Sequence, residues 1–119
     1  MCSITLSKGD DVLFELLEEL EPKFKKHFNK EVNMTEITRY SININSKTWL
    51  VVTNQYIYIL NKKLWFITTW KRKLKNIHQI KILDSKLVIV TEQGQKTLRI
   101  PTDRESQVRK LVEKLQEIQ

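Results

Sequence analysis

Glycine and proline occur only twice each in the 119 residues, as Gly9, Gly94, Pro22 and Pro101. That scarcity excludes collagen-like and low-complexity classes, and it excludes a glycine-rich phosphate loop, which needs several glycines close together. Cysteine occurs once, at Cys2. A disulfide framework and a cysteine-based zinc site are excluded with it, and such usage fits a reducing cytoplasm. His27 and His78 stand apart, with no cysteine or acid cluster beside them, so no metal or other cofactor is expected. No run of about 18 apolar residues is present to span a bilayer. A secretory leader is not expected either, because Asp10, Asp11, Glu15, Glu18, Glu19 and Glu21 crowd the first 21 residues.

Apolar residues make up 40% of the chain, with three Trp, four Phe and three Tyr, which is enough for a core and argues against disorder. The length suits one domain over residues 1–119. No catalytic residues are expected. A thiol at Cys2 is poorly placed to be held as a nucleophile, and the early acids read as a solvated helical face.

Charge is distributed unevenly. The whole chain carries +7, yet residues 1–21 hold one lysine against six acids, a net of −5, which leaves +12 for the remainder. Between residues 61 and 81 stand Lys62, Lys63, Lys71, Arg72, Lys73, Lys75 and Lys81, with no acid among them. Such a dipole orients a molecule toward an anionic partner, or it is an ordinary solvated face.

Hydrophobic spacing sets the expected elements. Leu13, Leu16, Leu17, Leu20, Phe24 and Phe28 recur at three and four residues, which predicts an amphipathic helix over residues 10–29, kinked or split near Pro22. From residue 35 the period becomes two, and strands are expected within residues 35–101. The expected strands cover 40–44, 48–53, 56–60, 70–75, 77–83, 87–91 and 97–100, with hairpin turns at Asn54-Gln55 and Gln93-Gly94. A second helix is expected over residues 102–118, opened by a Thr102–Glu105 capping box. Its stripe of Val108, Leu111, Val112, Leu115 and Ile118 has one side to bury, against an opening of the sheet.

An antiparallel run of strands closed by one C-terminal helix is the order of a pleckstrin-homology-like barrel. The stretches WLVVTNQYIYIL (residues 49–60), WKRKLKNIHQIKIL (70–83) and KLVIVTEQGQKTLRIPTDRESQVRKLVEKLQEIQ (86–119) resemble that superfamily. They are similar to GRAM-type domains and to the tail-homology domain of class I myosins. The resemblance covers residues 35–119 and implies an α+β pleckstrin-homology-like barrel or sandwich with an additional N-terminal helix. It also implies a non-enzymatic scaffold that binds phosphoinositide head groups or peptides. In the implied head-group pattern Arg39 and Lys47 supply the outer charges. Trp49 stands where a further basic residue belongs, so the resemblance implies a charge-driven contact with anionic lipid and not a stereospecific pocket.

Period two places Lys71, Lys73 and Lys75 on one strand face as a basic ladder. Together with Lys62, Lys63, Arg72, Arg39 and Lys47 they form the expected lipid-binding set. Trp65 and Phe66 are the membrane-contact candidates, their other placement being an ordinary core. Nucleic acid is disfavoured as a partner: no RNA- or DNA-binding motif is present, and lysine carries little base-specific geometry. Leu13, Leu16, Leu17 and Leu20 either pack on the barrel, the expected outcome, or present a stripe to another protein. The leading expectation is peripheral association with anionic, phosphoinositide-containing membranes; the alternative is an adaptor that binds a peptide or partner helix.

Overall fold

Proline at position 22 decides where the first helix starts. A proline disfavours helical geometry in the residue before it, and Glu21 is extended, with φ −60° and ψ 150°. Its missing N–H is harmless in a first turn, where that donor has no helical partner. Helix α1 therefore spans Pro22–Glu31. Lys25 N–H donates to the Glu21 carbonyl at 2.8 Å, and Val32 N–H closes the helix on the Phe28 carbonyl at 3.0 Å.

The computed structural model describes residues 16–118. Within them the helix expected from residue 10 is corrected: residues 16–21 are not helical, and the earlier part, with Leu13, lies outside the described residues. Leu17 instead bridges Ser41 in parallel. Ser41 N–H donates to the Leu16 carbonyl and Glu18 N–H to the Ser41 carbonyl, both at 2.8 Å. The leucine stripe is thereby divided. Leu16 is fully buried in the main core, Leu20 packs beside Phe24 and Phe28, and Leu17 is left 45% exposed.

Seven strands make two antiparallel sheets. The first runs β1 (Thr38–Asn45), β2 (Thr48–Thr53), β3 (Tyr56–Lys62) and β4 (Ile67–Lys73), in that spatial order. The second runs β5 (Ile77–Leu83), β6 (Lys86–Thr91) and β7 (Gly94–Arg99). A 3-10 turn at Leu74–Asn76 joins the sheets, so Lys75 does not continue the β4 ladder. The β5–β6 hairpin turns on Asp84 and Ser85, both with positive φ (52° and 59°), as a two-residue turn of the primed kind requires.

Every residue of β2 is buried, because the first sheet is covered on both faces. Ile42, Ile44, Leu50, Val52, Ile57 and Ile59 point inward to meet Ile80, Leu87 and Ile89 of the second sheet. The outward set, Trp49, Val51, Tyr58 and Leu60, is covered by Phe24 and Phe28 of α1. Phe28 meets Tyr58 edge-on, with centroids 5.0 Å apart. Helix α2 (Glu105–Ile118) closes the structure as expected, with Val108, Leu111, Val112 and Leu115 all 5% exposed or less. Its start differs from the capping box. A 3-10 turn at Thr102–Arg104 leads in, with Arg104 N–H on the Pro101 carbonyl, and the Glu105 carboxylate faces Ser85 Oγ at 3.4 Å. Among the described residues no helix is long and apolar enough to cross a membrane.

Candidate functional site

The β3–β4 hairpin ends in a four-residue loop whose apolar side chains are largely exposed. Lys62 pairs with Ile67, and Lys63 N–H donates to the Phe66 carbonyl at 2.7 Å, which closes the hairpin and pushes Leu64 and Trp65 to its apex. Leu64, Trp65 and Phe66 are 80%, 86% and 55% exposed. Trp65 and Phe66 thus take the exposed placement, not the core one. Three consecutive large apolar side chains held in water by an ordered hairpin form a patch that a monomer has no internal reason to keep.

Lysines surround that tip. The β1–β2 turn lies beside it, because Thr48 pairs with Asn61 and Lys62 N–H donates to the Lys47 carbonyl at 2.7 Å. Lys47, Lys62 and Lys63 line a depression on one side of the loop together with Leu64 and Phe66. On the other side, Lys23, Lys26 and Lys30 of α1 share a groove with Lys62, Trp65 and Phe66. Among the described residues none of these six lysines pairs with a carboxylate; the Arg104–Glu18 ion pair lies elsewhere, at the edge of β1.

The other basic residues are placed elsewhere. Lys73 and Lys75 flank a separate depression beside the β2–β3 turn, at the opposite end of the hairpin, and Arg39 sits near that end in the β1 irregularity after Thr38. Lys71 is not a free rung of a basic ladder. Its Nζ lies 4.3 Å from the Tyr56 ring centroid and 5.3 Å from that of Tyr58, and it donates to the Glu31 carbonyl at 3.3 Å. A cation there complements the negative end of α1. The Arg72 guanidinium lies 4.9 Å from the Trp70 ring, and its Nη1 donates to the Lys71 carbonyl. The eight-residue basic set therefore divides: Lys47, Lys62 and Lys63 stand at the tip; Lys73, Lys75 and Arg39 at the far end; Lys71 and Arg72 are packed.

Trp49, at the position where the resemblance calls for a basic residue, is 4% exposed beneath α1, with its ring 6.3 Å from Phe24. A lysine there would have its charge under an apolar helix face.

Two polar clusters hold the platform. Glu36 accepts from Tyr58 Oη at 2.6 Å, Thr53 Oγ1 at 2.7 Å and Asn33 N–H at 2.9 Å. Burial by itself raises the Glu36 carboxyl, but these hydrogen bonds and the Lys71 charge outweigh it and hold the group below its ordinary value. Tyr58, fully buried and facing that carboxylate, is pushed up, first by burial and then by Glu36. At the edge of β1, Arg104 Nη2 meets both Glu18 oxygens at 2.6 Å, and its Nε donates to the Asn43 carbonyl at 2.8 Å. Among the described residues no group of three His, Cys, Asp or Glu side chains is placed to hold a metal.

The α1 lysines and Glu36 are absent from the sequence-derived site. The lysines had a usable signal, the spacing of residues 23, 26 and 30 on one helix face. Glu36 had none, because Thr53 and Tyr58 lie 17 and 22 residues away from it. No protein-family model, curated protein or solved structure matches the chain.

Proposed function

We propose that this chain is a non-enzymatic, peripheral membrane-binding module. It sets Leu64, Trp65 and Phe66 into the interface of an anionic bilayer while lysines around the loop engage lipid headgroups. The exposure of those three side chains beside lysines that pair with no carboxylate among the described residues carries the reading. The element order, four strands, then three, then a C-terminal helix, supports the pleckstrin-homology-like assignment that underlies it. The cytoplasmic face of a membrane, rich in anionic lipid, is the surface such charge suits.

Magnitudes show that both components matter. Burying a Leu- or Phe-sized side chain stabilises by roughly 1.5–3 kcal/mol, and each lysine near an anionic surface contributes about 1 kcal/mol. Neither the apolar tip nor the lysines alone dominates. The partner-helix alternative has less surface to offer, because Leu16 and Leu20 are engaged internally.

Sedimentation with phosphatidylserine vesicles against neutral phosphatidylcholine vesicles tests the proposal. The expected result is binding to the anionic vesicles that weakens with added salt and falls at least about tenfold for Trp65→Ser with Phe66→Ser, near the loss of one buried side chain. Equal binding to neutral vesicles, or none to anionic ones, overturns it; the second result would assign the exposed tip to a protein partner.

A further inference from the structure

The β1–β2 turn carries a hydroxyl group into the basic tip. Ser46 lies in that turn, exposed, between Asn45 and Lys47. Other groups hold the turn's shape: Lys47 N–H donates to Asn45 Oδ1 at 2.8 Å, and Asn43 Nδ2 donates to the Asn45 carbonyl at 2.7 Å. Among the described residues no hydrogen bond commits the Ser46 hydroxyl. Ser46 borders the same depression as Lys47, Lys62, Lys63, Leu64 and Phe66. Thr68 borders it too, but its Oγ1 already donates to the Asn61 carbonyl at 3.2 Å. Three lysines thus share a depression with one uncommitted hydroxyl, and among the described residues no carboxylate pairs with any of them.

Resting on the membrane reading above, we infer that Ser46 is a phosphorylation site whose modification releases the tip from an anionic bilayer. The modifying enzyme is a serine kinase that selects basic residues beside its acceptor, and Lys47 follows Ser46 directly. Ser46 Oγ attacks the γ-phosphorus of ATP. An Oγ–P bond forms, the bond from that phosphorus to the bridging oxygen of ADP breaks, and the hydroxyl proton passes to the kinase's base. The phosphoserine carries a charge of about −1.5 to −2 at neutral pH and three strong acceptor oxygens. It acts on the tip in two ways. Its oxygens draw in ammonium groups that would otherwise meet headgroups, and its charge repels an anionic surface. The added charge offsets about two of the three lysines. Leu64, Trp65 and Phe66 stay exposed but lose the attraction that holds them at the bilayer.

The test treats the full chain with ATP and a serine kinase directed to basic sequences, maps the phosphate by mass spectrometry, and measures binding to phosphatidylserine vesicles before and after. Phosphate is expected on Ser46 and not on Thr68. Binding should then fall at least about thirtyfold, the attraction of two lysines, and phosphatase should restore it. Ser46→Ala should bind as the native chain does, and kinase treatment should no longer weaken it. Asn54→Asp with Gln55→Glu adds two negative charges at the β2–β3 turn, the opposite end of the hairpin, and should leave binding within about threefold. A melting midpoint that phosphorylation leaves unchanged or raises checks the fold. Phosphate that avoids Ser46, or full binding by the chain phosphorylated there, overturns the switch but leaves the membrane reading intact. Weaker binding with a lowered midpoint assigns the loss to unfolding and likewise overturns the switch. Absence of binding by the unmodified chain overturns both.

Discussion

Glu36 is the residue on which the covered face of the first sheet turns. It joins the loop after α1 to β2 and β3 through Asn33, Thr53 and Tyr58. A hydrogen bond to a charged group contributes about 1.5–3 kcal/mol against about 0.5–1.5 kcal/mol for a neutral one, and in a glutamine the amide NH2 would replace the oxygen that accepts from Asn33 N–H. Glu36→Gln is therefore expected to destabilise the fold by roughly 2 kcal/mol at neutral pH, measured by urea unfolding. The pH dependence has a definite sign. The folded-state carboxyl is held below its ordinary value of 4.5, so its contribution is complete above that pH and fades as pH falls through the folded-state value. The gap between native protein and Glu36→Gln should narrow on acidification through that window. A gap that stays constant would show that the carboxylate charge is not what the cluster uses. None of this was legible beforehand, since hydrogen bonds across 17 to 22 residues leave no local spacing to read.

Elements were far more legible than residues, and where they were misread tertiary pairing is the cause. Strands β2 and β5 match their expected bounds, because alternating β-branched and aromatic residues bounded by turn formers admit little else. Strand β4 begins at Ile67 and not Trp70, since Leu64, Trp65 and Phe66 form a turn although their composition reads as core. The first helix shows the opposite error. Helical spacing runs unbroken from Leu13 to Phe28, but Ser41 on the edge of β1 takes the backbone of Leu16 and Glu18, and Pro22 supplies a clean start for α1. Helical propensity yields to such pairing because it is worth only tenths of a kcal/mol per residue. What α1 buries is correspondingly specific. Phe28, 5% exposed and edge-on to Tyr58, is expected to cost about 3–5 kcal/mol as Phe28→Ala, whereas exposed Leu17→Ala should change stability by less than about 1 kcal/mol. Thermal unfolding of the two variants checks this. Similar midpoints would mean that α1 does not cover the sheet.

At the scale of the whole molecule, folding separates charges that the sequence places side by side. The basic run from Lys62 to Lys75 spans the β3–β4 hairpin, where Lys62 pairs with Ile67 at one end and Lys73 with Tyr56 at the other. Six residue steps of about 3.3 Å put these ends about 20 Å apart. Screening at physiological ionic strength acts over about 8 Å, so a bilayer touching the tip barely feels the far end. The ladder of Lys71, Lys73 and Lys75 expected from period two is accordingly a poor guide to lipid contact, although its residues were the most conspicuous in the sequence. Lys23, Lys26 and Lys30, from a different part of the chain, stand closer to the tip than Lys73 does. The consequence is a pair of charge reversals of equal size and unequal effect. Lys73→Glu with Lys75→Glu should leave affinity for phosphatidylserine vesicles within about threefold at physiological salt, the far charges being screened. Lys62→Glu with Lys63→Glu should lower it at least about thirtyfold, close to 2 kcal/mol for two lysines that no longer attract headgroups. Lowering the salt should shrink this difference, as the far end comes within reach of the surface. Equal losses from the two reversals at physiological salt would mean that the bilayer lies along the whole hairpin and not at its tip.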